Sequence, residues 1–156
     1  MTLHTNRGDI VIALNAAKAP HTVNSFNFLA GQKFFDGSRC HRLTTQGIYV
    51  LQCGDPTGTG TGGPGYQFQD ENLAGATYPA GTVAMANAGP GTNGSQFFLV
   101  YKDTALPPSY TPFGTISSGL DVLTKVAAGG DDESNGAGDG HPKIDVVLTT
   151  VTVTAS

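Results

Sequence analysis

Residues 84–100 read AMANAGPGTNGSQFFLV. Small residues, glycines and amides run on at length, then yield to an apolar strand led by Gln96. Glycine and Asn-Gly turns carry backbone where side chains would obstruct it. A long loop inside a compact domain is uncommon, and such loops tend to carry function. In the strand that follows, alternation puts Gln96 and Phe98 on one face and Phe97 and Leu99 on the other. The same division recurs upstream in GIYVLQC, 47–53, where Val50 and Gln52 share a face opposite Leu51 and Cys53. Two strands that each turn one apolar face inward and one amide-bearing face elsewhere imply a β architecture with a site on its non-core side.

Further strands are expected at 8–14 (GDIVIAL), Phe34-Phe35, Arg39–Leu43, Thr82–Met85, Thr111–Ile116 and Ile144–Val153, separated by Gly, Pro, Asn and Ser clusters. Pro20 suits the first turn of a helix whose apolar positions are Val23, Phe26 and Leu29, with Gly31 at its end. A second helix is expected over 119–130, with Leu120, Leu123 and Val126–Ala127 on one face and the glycine pair 129–130 to stop it. Many strands, two isolated helices and no βαβ rhythm indicate a mainly β fold, a closed antiparallel barrel or a sandwich with helices at its ends. No repeat or linker divides the chain, so one domain is expected over 1–156. Glycine supplies 22 of the 156 residues, about twice ordinary usage, as a fold of many tight turns requires.

A net charge of −4, with eight scattered Lys and Arg, excludes nucleic acid as a main partner. No apolar run approaches the ~20 residues of a membrane span. The N-terminus shows strand-like alternation without a basic-then-apolar leader, so the cytoplasm is the expected compartment. There Cys40 and Cys53, in no metal-like spacing, are expected as free thiols used as small apolar residues.

Several motifs fail on context. GTGTGG, 58–63, matches a dinucleotide fingerprint but is followed by Pro64-Gly65 instead of a helix. Gly94-Ser95-Gln96 lacks the second glycine of a nucleophile elbow. The four histidines show no metal spacing. Asn93-Gly94-Ser95 is a glycosylation sequon by letters alone. The acidic, glycine-rich segment 129–143 lacks the ordered ligands of a calcium loop and is expected to be solvated. Hydrolytic and redox chemistry therefore lack their parts.

What remains is Arg42, which interrupts a largely apolar strand. If the strands holding Gln52 and Gln96 adjoin it, Arg42 gains an apolar shelf, two amides to hold it and an aromatic wall. The run MANAGPGTNGSQFF, with FFDGSRCHRL and LQCGDPTGTGTGG before it, FQDEN between and PFG after, resembles the cyclophilin family of peptidyl-prolyl cis-trans isomerases. The resemblance covers nearly the whole chain in order. It implies a closed eight-stranded antiparallel β-barrel capped by two α-helices, and an enzyme that needs no cofactor and no metal.

The family's catalytic arginine falls on Arg42. Its groove glutamine falls on Gln52, with apolar neighbours at Tyr49 and Val50. The alanine and asparagine of MAN fall on Ala86 and Asn87, and the later glutamine and aromatic on Gln96 and Phe98. Leu106 matches a loop leucine, and Tyr110 stands where the family has histidine. The implied division is catalysis by Arg42, Gln52 and Asn87, with the others binding substrate. Three departures stand out: LTTQGIYV, 43–50, is two residues longer than the common form, Tyr110 replaces histidine, and the chain has no Trp. Many members carry a tryptophan near the Leu106 position that helps bind cyclosporin. The expected partners are proline-containing peptides and unfolded polypeptides, with cyclosporin bound weakly, no nucleic acid, no membrane, and the chain a monomer. Two other readings use the same residues: a non-catalytic proline-peptide module, and a barrel holding a small ligand inside, which inward Phe97 and Leu99 argue against.

Overall fold

The structure, a computed structural model, describes residues 1–154; the last two residues of the domain expected over 1–156 lie outside them. In chain order the elements are β1 (Thr2–Thr5), β2 (Gly8–Leu14), α1 (Pro20–Gly31), β3 (Ser38–Arg39), β4 (Arg42–Thr44), β5 (Val50–Cys53), β6 (Thr82–Met85), β7 (Phe97–Val100), β8 (Pro112–Ser118), α2 (Leu120–Ala128), β9 (Asp139–Gly140) and β10 (Val147–Thr152). All pairings are antiparallel, in the order β3-β10-β1-β2-β8-β6-β7-β5-β4-β9.

The strand count differs from the expected eight for a simple reason. β3 and β4 are two halves of one interrupted strand, the first paired with β10 and the second with β5. The ring of pairings therefore closes through Cys40-His41. Counting that strand once, and setting aside the two-residue β9, leaves eight. Phe34-Phe35 is a turn after α1 instead of a strand, because Phe35 is drawn into the core beneath the helix.

Register explains which side chains face in. Leu43 pairs with Leu51, Leu51 with Leu99, and Leu99 with Val83, a row of four fully buried aliphatic residues directed into the barrel. Gly114 continues it, and a Cβ there would come within 2.7 Å of Ile12. Phe26, Phe35, Phe97 and Phe113 pack at the α1 end with ring centroids 4.6–6.0 Å apart. Side chains thus fill the interior, and the small-ligand reading has no room.

Helix α1 begins at Pro20 as expected, but Ala19 before it offers no capping side chain. The cap comes from FQDEN: the Glu71 carboxylate accepts from the N–H groups of His21 (3.2 Å) and Thr22 (2.8 Å) and from the Thr22 hydroxyl. A carboxylate at a helix N-terminus satisfies orphan donors and opposes the dipole. Glu71→Ala is expected to cost about 1–2 kcal/mol, read from the shift of a urea unfolding midpoint. The left-handed residue that ends the helix is Lys33 (φ 57°), not Gly31. Gly119 (φ 93°) caps helix α2 at a place where a Cβ would lie 2.2 Å from the Asp9 carbonyl oxygen. The helix buries Leu123 and Val126 against the barrel.

The cysteines overturn an expectation. Cys40 and Cys53 are joined in a disulfide, with Cα atoms 4.0 Å apart. Cross-strand pairing of Arg42 with Gln52 brings the flanking residues 40 and 53 together, so register decided what spacing along the chain could not. No helix among the described residues is long and apolar enough to cross a membrane.

Candidate active site

One step along the strands from the leucine row runs a second row on the opposite, outer face. Arg42 pairs with Gln52, Gln52 with Phe98, and Phe98 with Ala84. Phe98, Val50, Ala84, Tyr78 and Val100 form an apolar cluster separate from the barrel core. The Tyr110 ring stands edge-on to Phe98 at 5.7 Å. Beneath them the Tyr78 hydroxyl donates to the Tyr110 carbonyl (2.6 Å) and accepts from its N–H (3.1 Å), fixing that segment.

These groups enclose a pocket of about 150 Å³ lined by Arg42, Ile48, Val50, Gln52, Ala86, Asn87, Phe98, Leu106 and Tyr110. Eight of the ten residues named from the sequence meet there. Tyr49 does not. It stacks edge-on with Tyr101 (6.0 Å), under the Lys102 ammonium at 4.6 Å, and Ile48 takes the pocket wall instead. The longer 43–50 segment ends in a tight turn, Ile48 N–H to Gln46 O at 2.9 Å, before β5 begins, so strand alternation does not extend back to Tyr49. Gln96 also stands outside the pocket, in an adjoining open hollow of about 840 Å³ lined by the 60–67 and 86–96 segments.

A one-way ladder of hydrogen bonds joins the two spaces. Arg42 can only donate, and its Nη1 donates to Gln52 Oε1 at 3.2 Å. Gln52 Nε2 therefore faces Gln96 Oε1 (2.8 Å), and Gln96 Nε2 donates to the carbonyls of Gly60 (2.9 Å) and Gly62 (3.0 Å). Asp55, fully buried, closes the ladder by accepting from the N–H groups of Thr57, Thr59, Gly60 and Gly62 and from two threonine hydroxyls. These donors hold its carboxyl well below the usual carboxylate range although burial opposes them most. Asp55 was not anticipated; an aspartate ahead of Pro56 and the run Thr57-Gly58-Thr59-Gly60 is the signal of an Asx-turn that could have shown it.

The segment 129–143 also departs from expectation. It is not merely solvated: its β9 pairs with β4, and Asp139 meets Arg42 side-on, Nε to Oδ1 at 3.0 Å and Nη2 to Oδ2 at 2.8 Å. The Asp139 hydrogen bond raises the Arg42 pKa above its ordinary high value, and that same bond lowers the Asp139 pKa.

The quoted glycine-rich stretch is ordered from outside. Asp70 accepts from the Gly91 N–H and Asn93 Nδ2, and Asn93 exchanges backbone bonds with Phe68. Asn93 is fully buried, which removes it as a glycosylation acceptor. The Asn87 side chain is spent on the Ser109 carbonyl and the Gly89 N–H. Among the described residues its main-chain N–H and C=O have no protein partner, and the residue lines both the pocket and the adjoining hollow.

Comparison with known proteins points to one family. The family described as "Cyclophilin type peptidyl-prolyl cis-trans isomerase/CLD" matches residues 1–153. The "Probable peptidyl-prolyl cis-trans isomerase B" of Mycobacterium leprae is 51% identical over 161 residues, covering 94% of this chain and 54% of its own. The chain thus spans about half the length of that relative and of its counterpart in Mycobacterium tuberculosis. The peptidyl-prolyl cis-trans isomerase B of Streptomyces anulatus is 44% identical over 172 residues, with 97% and 94% covered. A crystal structure of a Cryptosporidium parvum cyclophilin-type isomerase, determined in the presence of the dipeptide Ala-Pro, superposes with a TM-score of 0.86 at 28% identity, covering 99% of this chain and 98% of that one. The chain belongs to the cyclophilin-type peptidyl-prolyl cis-trans isomerase family.

Proposed function

We propose that this chain catalyses rotation about X–Pro peptide bonds in peptides and unfolded polypeptides, and so assists folding. The observation that carries the reading is a guanidinium, fixed by Asp139 and Gln52, at the rim of an apolar pocket with room for a pyrrolidine ring.

The barrier to X–Pro rotation is ~20 kcal/mol because amide resonance must be lost. No bond is made or cut, so the reaction calls for neither nucleophile nor cofactor. It calls for a site that fits the twisted amide better than either planar form. In the twisted state the prolyl nitrogen regains a lone pair, and an Arg42 N–H can donate to it only then. Phe98, Val50, Ile48 and Leu106 would hold the ring and exclude water, which strengthens that bond. The free N–H and C=O of Asn87 would pair with the extended substrate backbone, and Ala86 beside it is small enough to let that backbone approach. We assign Gln52 to holding Arg42, and Gln96 to holding Gln52 and the wall of the adjoining hollow.

The test is an NMR exchange assay on an X-Pro peptide, comparing wild type with Arg42→Ala. Peptide that binds but exchanges no faster than free peptide would refute the reading and favour a binding module, while turnover that survives the substitution would remove the role proposed for Arg42. The proposed acting species is the monomer. Cyclosporin is expected to inhibit weakly, because the chain has no Trp near Leu106 to help bind it. Nanomolar potency in an inhibition titration would contradict that.

A further inference from the structure

We propose that Asp139, on the two-residue strand β9, is the positioning residue that sets the plane of the Arg42 guanidinium. This rests on the reading of Arg42 as the group that stabilises the twisted bond. An arginine has five N–H donors and a long, rotamer-rich side chain. Gln52 takes one donor at 3.2 Å, a single contact about which the guanidinium can still turn. Asp139 takes two at once, on Nε and Nη2, at 3.0 and 2.8 Å. Two parallel bonds to one carboxylate fix a plane as well as a position. Once these three donors are engaged, one N–H on each terminal nitrogen is left for the substrate.

The carboxylate is itself held. Asn135 Nδ2 donates to Asp139 Oδ1 at 3.2 Å. The Asn135 N–H donates to the Asp139 carbonyl and the Asp139 N–H to the Gly136 carbonyl, closing a tight turn. Glycines flank it where side chains do not fit. A Cβ on Gly138 would lie 2.6 Å from Gln46 Cβ, and one on Gly140 would lie 2.2 Å from the Asp132 carboxylate. These close approaches let β9 pair with Leu43 and Thr44, directly after Arg42 in the chain. The segment that composition marks as a solvated loop is built to deliver one carboxylate to one guanidinium.

A positioning role makes a specific kinetic claim. The pocket and the Asn87 main chain bind the substrate, so loss of Asp139 should leave KM within about twofold. The fraction of time Arg42 is aimed correctly should fall, lowering kcat roughly tenfold. The experiment is a double-mutant cycle with Arg42→Ala and Asp139→Ala, reading kcat and KM separately by NMR line shapes on an X-Pro peptide. Because Asp139 acts only through Arg42, the double variant should match Arg42→Ala within about twofold. Asp139→Asn keeps the residue's size with one acceptor fewer, and should lower kcat severalfold; it serves if the alanine variant does not fold. If Asp139→Ala lowers kcat equally in the Arg42→Ala background, the role is structural and the inference is overturned. An unchanged kcat in both Asp139 variants, with Arg42→Ala impaired, overturns it while leaving the proposed function intact. An unimpaired Arg42→Ala removes the role proposed for Arg42, and this inference with it, while a wild type that does not accelerate exchange removes the proposed function.

Discussion

With Arg42 replaced by alanine, turnover of an X–Pro peptide is expected to fall by about two to three orders of magnitude while the peptide still binds. The size follows from what the guanidinium is asked to supply. Uncatalysed isomerisation takes roughly tens to hundreds of seconds. Reaching the millisecond range removes ~7 kcal/mol from the barrier. A preorganised donor aimed at charge that develops only in the transition state supplies about 3–4 kcal/mol of this. The dry pocket and the orientation of the substrate supply the remainder, and both survive the substitution. The loss should therefore appear in kcat, with the dissociation constant from a chemical-shift titration changed little. Arg42→Lys should recover little, since one ammonium cannot meet Asp139 side-on and Gln52 at the same time. Turnover by the alanine variant within about threefold of wild type would mean that rotation here does not depend on the cation.

The row Arg42–Gln52–Phe98 was legible because strand alternation has a fixed period, so Gln52 and Phe98 could be placed opposite the inward leucines before any pairing was known. Helix α1 was legible through Pro20 and its apolar spacing, but its cap was not, because Glu71 reaches it from across the fold. Asp139 was hidden for the same reason. A two-residue strand has no periodicity, and its register comes from glycines that permit close approach. Tyr49, placed by the resemblance, lies one residue before β5 where alternation has run out, and there Ile48 lines the pocket. The disulfide lay hidden in register as well, since only the pairing of β4 with β5 shows residues 40 and 53 to be neighbours. Local period carried the reading wherever structure is regular; contacts made by loops escaped it.

Asp55→Asn is expected to cost roughly 3 kcal/mol of stability and to slow turnover about threefold, two effects with a single origin. The carboxylate is fully buried and is the shared acceptor for four backbone N–H groups of the 57–62 loop. A neutral amide offers one acceptor oxygen and sets an NH₂ against N–H donors, so part of the loop is left unsatisfied. Hydrogen bonds to a charged group contribute about 1.5–3 kcal/mol each when buried, discounted here because the loop's outer side can turn to water. The same Gly60 and Gly62 whose N–H groups meet Asp55 present their carbonyls to Gln96, which orients Gln52 and through it one edge of Arg42. Loosening the loop thus removes the weaker of the two restraints on the guanidinium. The pH dependence separates this from a packing defect. The folded-state pKa of Asp55 lies below the unfolded value near 3.9, so its contribution is complete above that value and is lost as pH falls through the folded pKa. The stability gap between wild type and Asp55→Asn, measured by urea unfolding, should hold constant from pH 7 to about 5 and narrow below about 4. A gap independent of pH down to 3 would assign the loss to shape instead of charge, and unchanged turnover would cut the ladder between the glycine loop and Arg42.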